Sequence, residues 1–387
     1  MKIANVSTIV VGCPWRDLVF VEVETDDGRI GVGEVRPVNK VDTVVAAIHE
    51  FGKRYLVGAD PFNVETFGWN VRRGDYGRPG EVVASAAAAL EIACWDLMGQ
   101  SLGVPVYRLL GGQFRDHVPA YANGWYQSER DPGAFAALAG TVVERGYRAL
   151  KVDPFGSAFG ELSPAELRLS LDIVTAIRER VGPDIGLMIE MHGRFTAGQA
   201  ATLARDLESL RPAWIEEPVP PENPAALRRV RSATHLPIAT GERIHAIEDV
   251  LPFLELGVVD IVQVDMTHFG GFLPMKNLAG MVDAHYLTMA PHNVCGPVGT
   301  MANIHLAIAT PAVRILEHFN DFADPWVGQL VDHAPTVDAA DGAFGLPVGP
   351  GLGLTLDKAA CAQYPARGKL IRLFQPGWEQ RIDNSAQ

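Results

Sequence analysis

The sequence predicts an α/β protein built on a (β/α)8 barrel with a further piece attached. Three observations carry that expectation. Between Val118 and Glu317, eight short apolar runs alternate with seven amphipathic stretches, the pattern of parallel strands joined by helices. Most runs stay apolar until their last one to three residues, where a charged or titratable group appears, as at the catalytic rim of such barrels. At 387 residues the chain is also longer than the barrel alone requires. An open doubly wound sheet is the alternative, yet no G-x-G-x-x-G follows an early strand.

The N-terminus carries a single Lys2 before a weakly apolar run containing Asn5, Ser7 and Thr8, so a cleaved signal is not expected. Residues 18–36 predict a hairpin: LVFVEVET alternates, Asp26-Asp27-Gly28 supplies the turn, and RIGVGEV returns. From about Thr43 to Gln100 the pattern is helical and ends in the Ala-rich EVVASAAAALEIACWDLMGQ. Asp96 on that apolar helix is expected to be a structural hydrogen-bonding acid.

Past Gly111-Gly112 come the eight runs: VPAYAN (118–123), RALKVD (148–153), IGLMIEM (185–191), AWIEEP (213–218), PIATGE (237–242), DIVQVD (260–265), YLTMAPH (286–292) and VRILEH (313–318). Turn and cap residues such as Ser163-Pro164, Thr196 and Asn223-Pro224 open several intervening helices. No Asp, Glu, Lys or Arg occurs from Tyr286 to Val313, but Pro291, Asn293, Pro297 and Pro311 interrupt that stretch. It therefore predicts a buried strand, a polar turn and a buried helix, not a membrane span. The polar tail beyond Trp378 is expected to fray.

The 33 Lys and Arg against 46 Asp and Glu give a net charge of −13, which argues against nucleic-acid or anionic-membrane partners. A small anionic substrate stays open, since one bound cation inverts the sign locally. Cys13, Cys94, Cys295 and Cys361 show no C-x-x-C spacing, predicting reduced, buried thiols in a cytoplasmic protein.

The strand-end groups are Lys151 and Asp153, Glu190 and His192, Glu216 and Glu217, Glu242, Asp265, His292 and Glu317. Glu190, Glu216 and Glu242 recur at an even interval of 26 residues, predicting three carboxylates at one height on consecutive strands. Two carboxylates about 5 Å apart repel by roughly 3 kcal/mol at an effective dielectric near 20, so three call for a cation. Oxygen-only ligands suit a hard divalent ion such as Mg²⁺. The competing expectation is that Arg194 and Arg243 pair with these acids and no metal binds. His292 is expected to be oriented by Asp265 on the neighbouring strand, and His192 to face the same cavity. His245, His268, His285 and His305 are expected to be structural. No G-x-S-x-G or Walker sequence is present. A divalent ion beside two histidines suits removal of a proton alpha to a carboxylate, with Glu317 as a protonated donor to that carboxylate.

The run from Lys151 through Glu317 resembles the barrel of the mandelate racemase subgroup of the enolase superfamily. Its marks are E-M-H-G-R (190–194), W-I-E-E-P (214–218), G-E-R (241–243), Q-V-D (263–265) and A-P-H-N (290–293). A-x-x-x-A-x-x-D-L near Ala89–Leu97 and P-V-Y-R-L-L-G-G (105–112) resemble the family's α+β capping domain, and G-P-G-L-G (349–353) its returning C-terminal segment. The resemblance implies a cap over 1–115, a modified (β/α)8 TIM barrel over 116–325 and a return to the cap over 326–387.

H-G-R after the first acid is most similar to acid-sugar dehydratases of the galactonate and gluconate kind. By that resemblance Glu190, Glu216 and Glu242 bind Mg²⁺, and His292 with Asp265 abstracts the alpha proton. His192 protonates the departing 3-hydroxyl, Glu317 hydrogen-bonds the substrate carboxylate, and a 2-keto-3-deoxy acid results. The resemblance also implies homo-oligomers and specificity from loops near 12–20 and 40–56, with Trp15 and Arg16 as candidates. Two departures stand out. The first ligand is Glu190 where most relatives have Asp, and the racemases' K-x-K is here Lys151-Val152-Asp153. The missing second lysine disfavours racemisation, and leaves Lys151 to pair with the substrate carboxylate or with Asp153. A cycloisomerase opening an anhydro or lactone ring, and a non-catalytic sugar-acid binding protein, are the rival expectations.

Overall fold

The computed structural model describes residues 1–74, 76–77, 79–368 and 370–381, so residues 382–387 of the tail lie outside the described residues. The chain opens with an antiparallel sheet of β1 (Ile3–Gly12), β2 (Asp17–Thr25) and β3 (Ile30–Val35), in that order. β2 and β3 are the expected hairpin. β1 is additional: its central residues are only half-buried, and Asn5, Ser7 and Thr8 interrupt its apolar run. The helix Glu81–Leu102 lies across this sheet. A Cβ at Gly31 or Gly33 would fall 2.2 or 1.9 Å from the carbonyl oxygens of Ala93 and Ala89. The alanines of the helix and the glycines of the strand thus permit one close approach. This helix is long and apolar enough to cross a membrane, but 89% of its apolar window is buried inside the protein.

Each of the eight apolar runs contains a strand: β4 (His117–Ala122), β5 (Ala149–Val152), β6 (Gly186–Glu190), β7 (Trp214–Glu216), β8 (Ile238–Thr240), β9 (Ile261–Val262), β10 (Thr288–Met289) and β11 (Leu316–His318). They pair in parallel from β4 to β10, and β11 pairs with β4. A parallel bridge from Met289 to Val313 joins the eighth run to β10 and closes the ring. Tyr121, Ala149, Met188, Trp214, Ala239 and Ala290 form one buried cluster. Because strand side chains alternate, Ala149, Met188 and Trp214 lie two residues below Lys151, Glu190 and Glu216 on the same face. An apolar layer therefore floors the polar one. The stretch without charges resolves into β10 and the buried helix Pro297–Ile308, as expected, and all four cysteines are free and buried.

The return begins with the hairpin β12 (Val337–Asp338) and β13 (Ala343–Gly345), which adds antiparallel to β4. Three buried acids then tie the front sheet and its helix to the rest. Asp96 accepts from Val32 N at 2.9 Å and Leu352 N at 2.8 Å, the structural role expected of it. Glu91 accepts from Phe272 N (2.8 Å) and Leu273 N (2.9 Å). Glu34 accepts from Gly296 N and Gly299 N at the start of Pro297–Ile308. Helix N-termini supply unpaired donors and a positive dipole end, so Glu91 and Glu34 each meet a matching partner at the starts of Phe272–Ala284 and Pro297–Ile308.

His305 is locked in a single neutral form. Its Nδ1 accepts from Tyr107 N, which leaves Nε2–H to donate to Leu352 O. Burial lowers its pKa from 6.5 to about 4. The unfolded chain therefore binds a proton that the folded one refuses. Stability is intact above pH 6.5 and falls as the pH drops toward 4, by about 3 kcal/mol at most from this residue. Urea unfolding at pH 7 and pH 5 should show a loss that His305→Gln reduces; an identical loss in the variant would exclude His305 as its source.

Candidate active site

The strand-end groups meet above that apolar layer. Glu190 and Glu216 are level, paired across β6 and β7. Glu242 is not: Glu216 is level with Ala239, three residues earlier, so the even spacing does not place all three acids at one height. The chain turns at Gly241 (φ +145°), where a Cβ would lie 2.7 Å from Val264 N. That turn brings Glu242 back, and one oxygen from each of Glu190, Glu216 and Glu242 lies within 4.8 Å of the others.

Neither arginine clamps them. Arg243 donates to Glu217 Oε2 at 2.9 and 2.7 Å, and Arg194 donates to Asp153 at 2.8 and 2.6 Å. The cation among the acids is Lys151, whose Nζ lies 3.2 Å from Glu190, 2.5 Å from Glu216 and 3.0 Å from Glu317. Lys151 thus does not take Asp153, which is occupied by Arg194 and His192. Glu190 Oε2 accepts no well-formed hydrogen bond despite that approach. Burial and the Glu190 charge push Glu216 well above the usual carboxylate range. Two buried carboxylates and a partly exposed third, with one ammonium beside the first two, remain short of positive charge, and an all-oxygen set of this kind fits a hard divalent cation.

Two histidines flank the cluster. His292 Nδ1 is 2.7 Å from Asp265 Oδ2, and Asp265 Oδ1 accepts from Thr267 N and Oγ1. His292 Nε2 is left facing Glu242 at 3.4 Å. Burial opposes charge on this imidazole, but Glu242, the Asp265 hydrogen bond and Glu317 raise it to about 9. The negative charge that loads His292 with a proton is the charge a cation would neutralise. His192 stands just past β6 at φ +46°, with its backbone N donating to Glu190 Oε1 (2.7 Å) and Nδ1 2.5 Å from Asp153 Oδ2. Non-glycine residues in that conformation are strained and concentrate at functional sites.

Glu317 accepts from Asn123 Nδ2 (2.7 Å), Asn293 N (2.8 Å) and Lys151. Although burial opposes ionisation, Lys151, His292 and the Asn293 bond lower its pKa, a direction that favours an acceptor over the protonated donor the sequence predicts. The sequence reading also missed the residues that hold Glu216 Oε2: Trp214 Nε1 (2.9 Å) and Gln263 Nε2 (2.8 Å). Both lie inside the motifs W-I-E-E-P and Q-V-D, which carried the signal unread.

Glu242, His192, His292 and Lys151 open onto a cavity of about 460 Å³. Trp15 lines it, but Arg16 does not: that side chain is fully buried against Asp324, Asn320 and Val294 O. The 40–56 segment expected as a specificity loop is helical, over Val41–Phe51 and Gly52–Leu56, and contributes nothing to the lining among the described residues. The wall comes from Arg36, Val38 and a C-terminal strap running from Arg367 to Arg381. Asn39 exchanges two hydrogen bonds with the Ile371 backbone, and Trp378 Nε1 donates to Gly156 O at 2.9 Å. Trp378 also packs edge-on to His192, with ring centroids 5.6 Å apart. Residues 379–381 are therefore docked where fraying was expected, and Glu379 is buried.

Comparison with known proteins agrees with this geometry. Residues 134–360 match the enolase C-terminal domain-like family, and residues 6–111 match the mandelate racemase/muconate lactonizing enzyme N-terminal domain. The chain is 36% identical over 366 residues to a D-gluconate dehydratase of Thermoproteus tenax, covering 94% of this chain and 73% of that protein. It is 35% identical to a D-gluconate/D-galactonate dehydratase of Picrophilus torridus, covering 89% and 88%. A mandelate racemase/muconate lactonizing enzyme-like protein from Roseovarius superposes with a TM-score of 0.90 at 31% identity, covering 97% and 98%.

Proposed function

The chain belongs to the mandelate racemase/muconate lactonizing enzyme group of the enolase superfamily, and from that premise we propose that it dehydrates a sugar acid. The observation that carries the reading is the convergent triad of Glu190, Glu216 and Glu242 beside the His292–Asp265 pair. The names of the two dehydratase relatives support the substrate class. The triad would hold Mg²⁺. Bound there, the ion supplies electrostatic stabilisation for the charge that builds on the substrate carboxylate as the adjacent C–H bond breaks.

The residues divide the remaining work. Asp265 fixes the proton on His292 Nδ1, so Nε2 takes the alpha proton. As that electron pair forms the C2–C3 double bond, the C3–O bond breaks and its pair leaves with oxygen. His192 Nε2 gives that oxygen a proton, and water departs. The enol then gains a proton at C3 and loses one from its hydroxyl, giving the 2-keto-3-deoxy acid. Lys151 balances negative charge among the carboxylates. Glu317 positions Lys151 and Asn293 by accepting from both, and does not donate to the substrate.

The test is a panel of aldonic, aldaric and anhydro-sugar acids followed by NMR in D₂O, with Mg²⁺ or with EDTA. We expect a 2-keto-3-deoxy product from a linear acid, activity lost in EDTA and restored by Mg²⁺. Reaction of an anhydro acid alone would instead establish ring opening, and activity that survives exhaustive chelation would remove the metal from the scheme. Ion binding should also stabilise the fold: a free Mg²⁺ concentration 100 times its Kd adds about 2.7 kcal/mol, readable as a rise in Tm that Glu242→Gln diminishes.

A further inference from the structure

The cavity that Glu242, the two histidines and Lys151 open onto is also lined by Arg36 and Arg381, each with one buried guanidinium nitrogen that has no hydrogen-bond partner. Arg36, one residue past β3, is 7% exposed and lines the cavity. Its Nε has no hydrogen-bond partner, and no ion pair involves it among the described residues. Arg381, from the strap, lies over the rings of Tyr126 (4.6 Å) and Phe319 (5.3 Å), and its Nη1 is buried and also without a partner. Arg367 and Arg372 add two more positive charges to the lining. The one acid among the described lining residues is Glu242, which belongs to the triad.

This concentration runs against the chain as a whole, whose net charge is −13. Burying a guanidinium without a counter-ion is costly, and proteins keep such groups where a ligand completes them. A neutral hydroxyl end would satisfy hydrogen bonds but leave the charge uncompensated. A carboxylate or phosphate satisfies both, and a guanidinium's planar fork of donors matches either anion. The cavity, about 460 Å³, is within the range that encloses a small ligand.

We infer that the substrate is anionic at both ends, its far end carrying a second carboxylate or a phosphate held between Arg36 and Arg381. The inference rests on the dehydratase reading for which end reacts. It assigns Arg36 and Arg381 as specificity residues, and it separates this chain from dehydratases of singly charged aldonates.

The Mg²⁺-loaded enzyme is assayed on three stereochemically matched series: aldonates, aldarates and aldonates phosphorylated at the far end. One of the doubly charged series should exceed the aldonates by about 10⁴-fold in kcat/KM, the order by which a site built for a polar group rejects the analogue lacking it. Which series wins identifies the anion. Arg36→Met and Arg381→Met should erase that preference by raising KM for the doubly charged acid far more than KM for the aldonate; Arg36→Lys should restore part of it. Equal efficiency on singly and doubly charged acids, or equal losses on both in the variants, would overturn the inference. Calorimetric titration of the His292→Asn protein separates the two readings. Tighter binding of doubly charged acids without any turnover by wild type would uphold the anion site and sink the dehydratase. Aldonate dehydration with no preference in binding would do the reverse.

Discussion

Replacing His292 with Asn should lower kcat by about 10⁴-fold, the upper range for loss of a positioned acid–base group. The reason is geometric. Nδ1 is committed to Asp265 at 2.7 Å, so the imidazole presents only Nε2 to the cavity, and His192, the other imidazole in the described lining, is engaged with Asp153. Asn keeps a donor for Asp265 and most of the side-chain volume, so the fold and the triad persist while the base is gone. Substrate KM and the Mg²⁺-induced rise in Tm should change little, because neither depends on the proton-accepting nitrogen. In D₂O, the variant should also fail to exchange the alpha hydrogen of the substrate. A variant that retains more than about a tenth of wild-type turnover would show that another group takes the proton, and Lys151 would be the next to replace.

The barrel was legible because its signal is repetitive: eight apolar runs at regular spacing, each closed by a polar group, survive even where the strand itself is two residues long, as at Ile261–Val262 and Thr288–Met289. The site was legible for the same reason, since the runs converge on one rim. What stayed hidden depends on angles and docking that no local pattern encodes. The 26-residue interval implied three acids at one height, whereas Glu242 reaches the others from three residues further along its strand, through the Gly241 turn. Lys151 was equally ambiguous. Alternation places it on the same face as Asp153, but Arg194 reaches Asp153 from beyond the next strand and leaves Lys151 to the glutamates. The strap was least visible. Its sequence mixes apolar residues such as Leu370, Phe374 and Trp378 with polar ones and shows no periodicity, and the order of its described residues comes from Asn39, Gly156 and the ring of His192, each distant in sequence.

His192→Asn should separate the two halves of the reaction. Dehydration is expected to fall about 10³-fold, the scale of a lost general acid, while the alpha hydrogen continues to exchange with D₂O at a rate close to wild type. Asn is the suitable replacement because His192 sits at φ +46°, a conformation Asn tolerates better than most residues. The backbone bond from residue 192 to Glu190 Oε1, 2.7 Å long, also survives the change, so the triad is not disturbed. The proton-delivering role is argued from the 2.5 Å contact between Nδ1 and Asp153, itself fixed by Arg194. That chain of contacts fixes Nδ1 and leaves Nε2 for the cavity that His192 lines. Asp153→Asn should accordingly reproduce the same uncoupling more weakly, with exchange preserved and elimination slowed. If exchange and elimination decline together in His192→Asn, the two histidines act in one step and the assignment of His292 as base and His192 as acid is wrong.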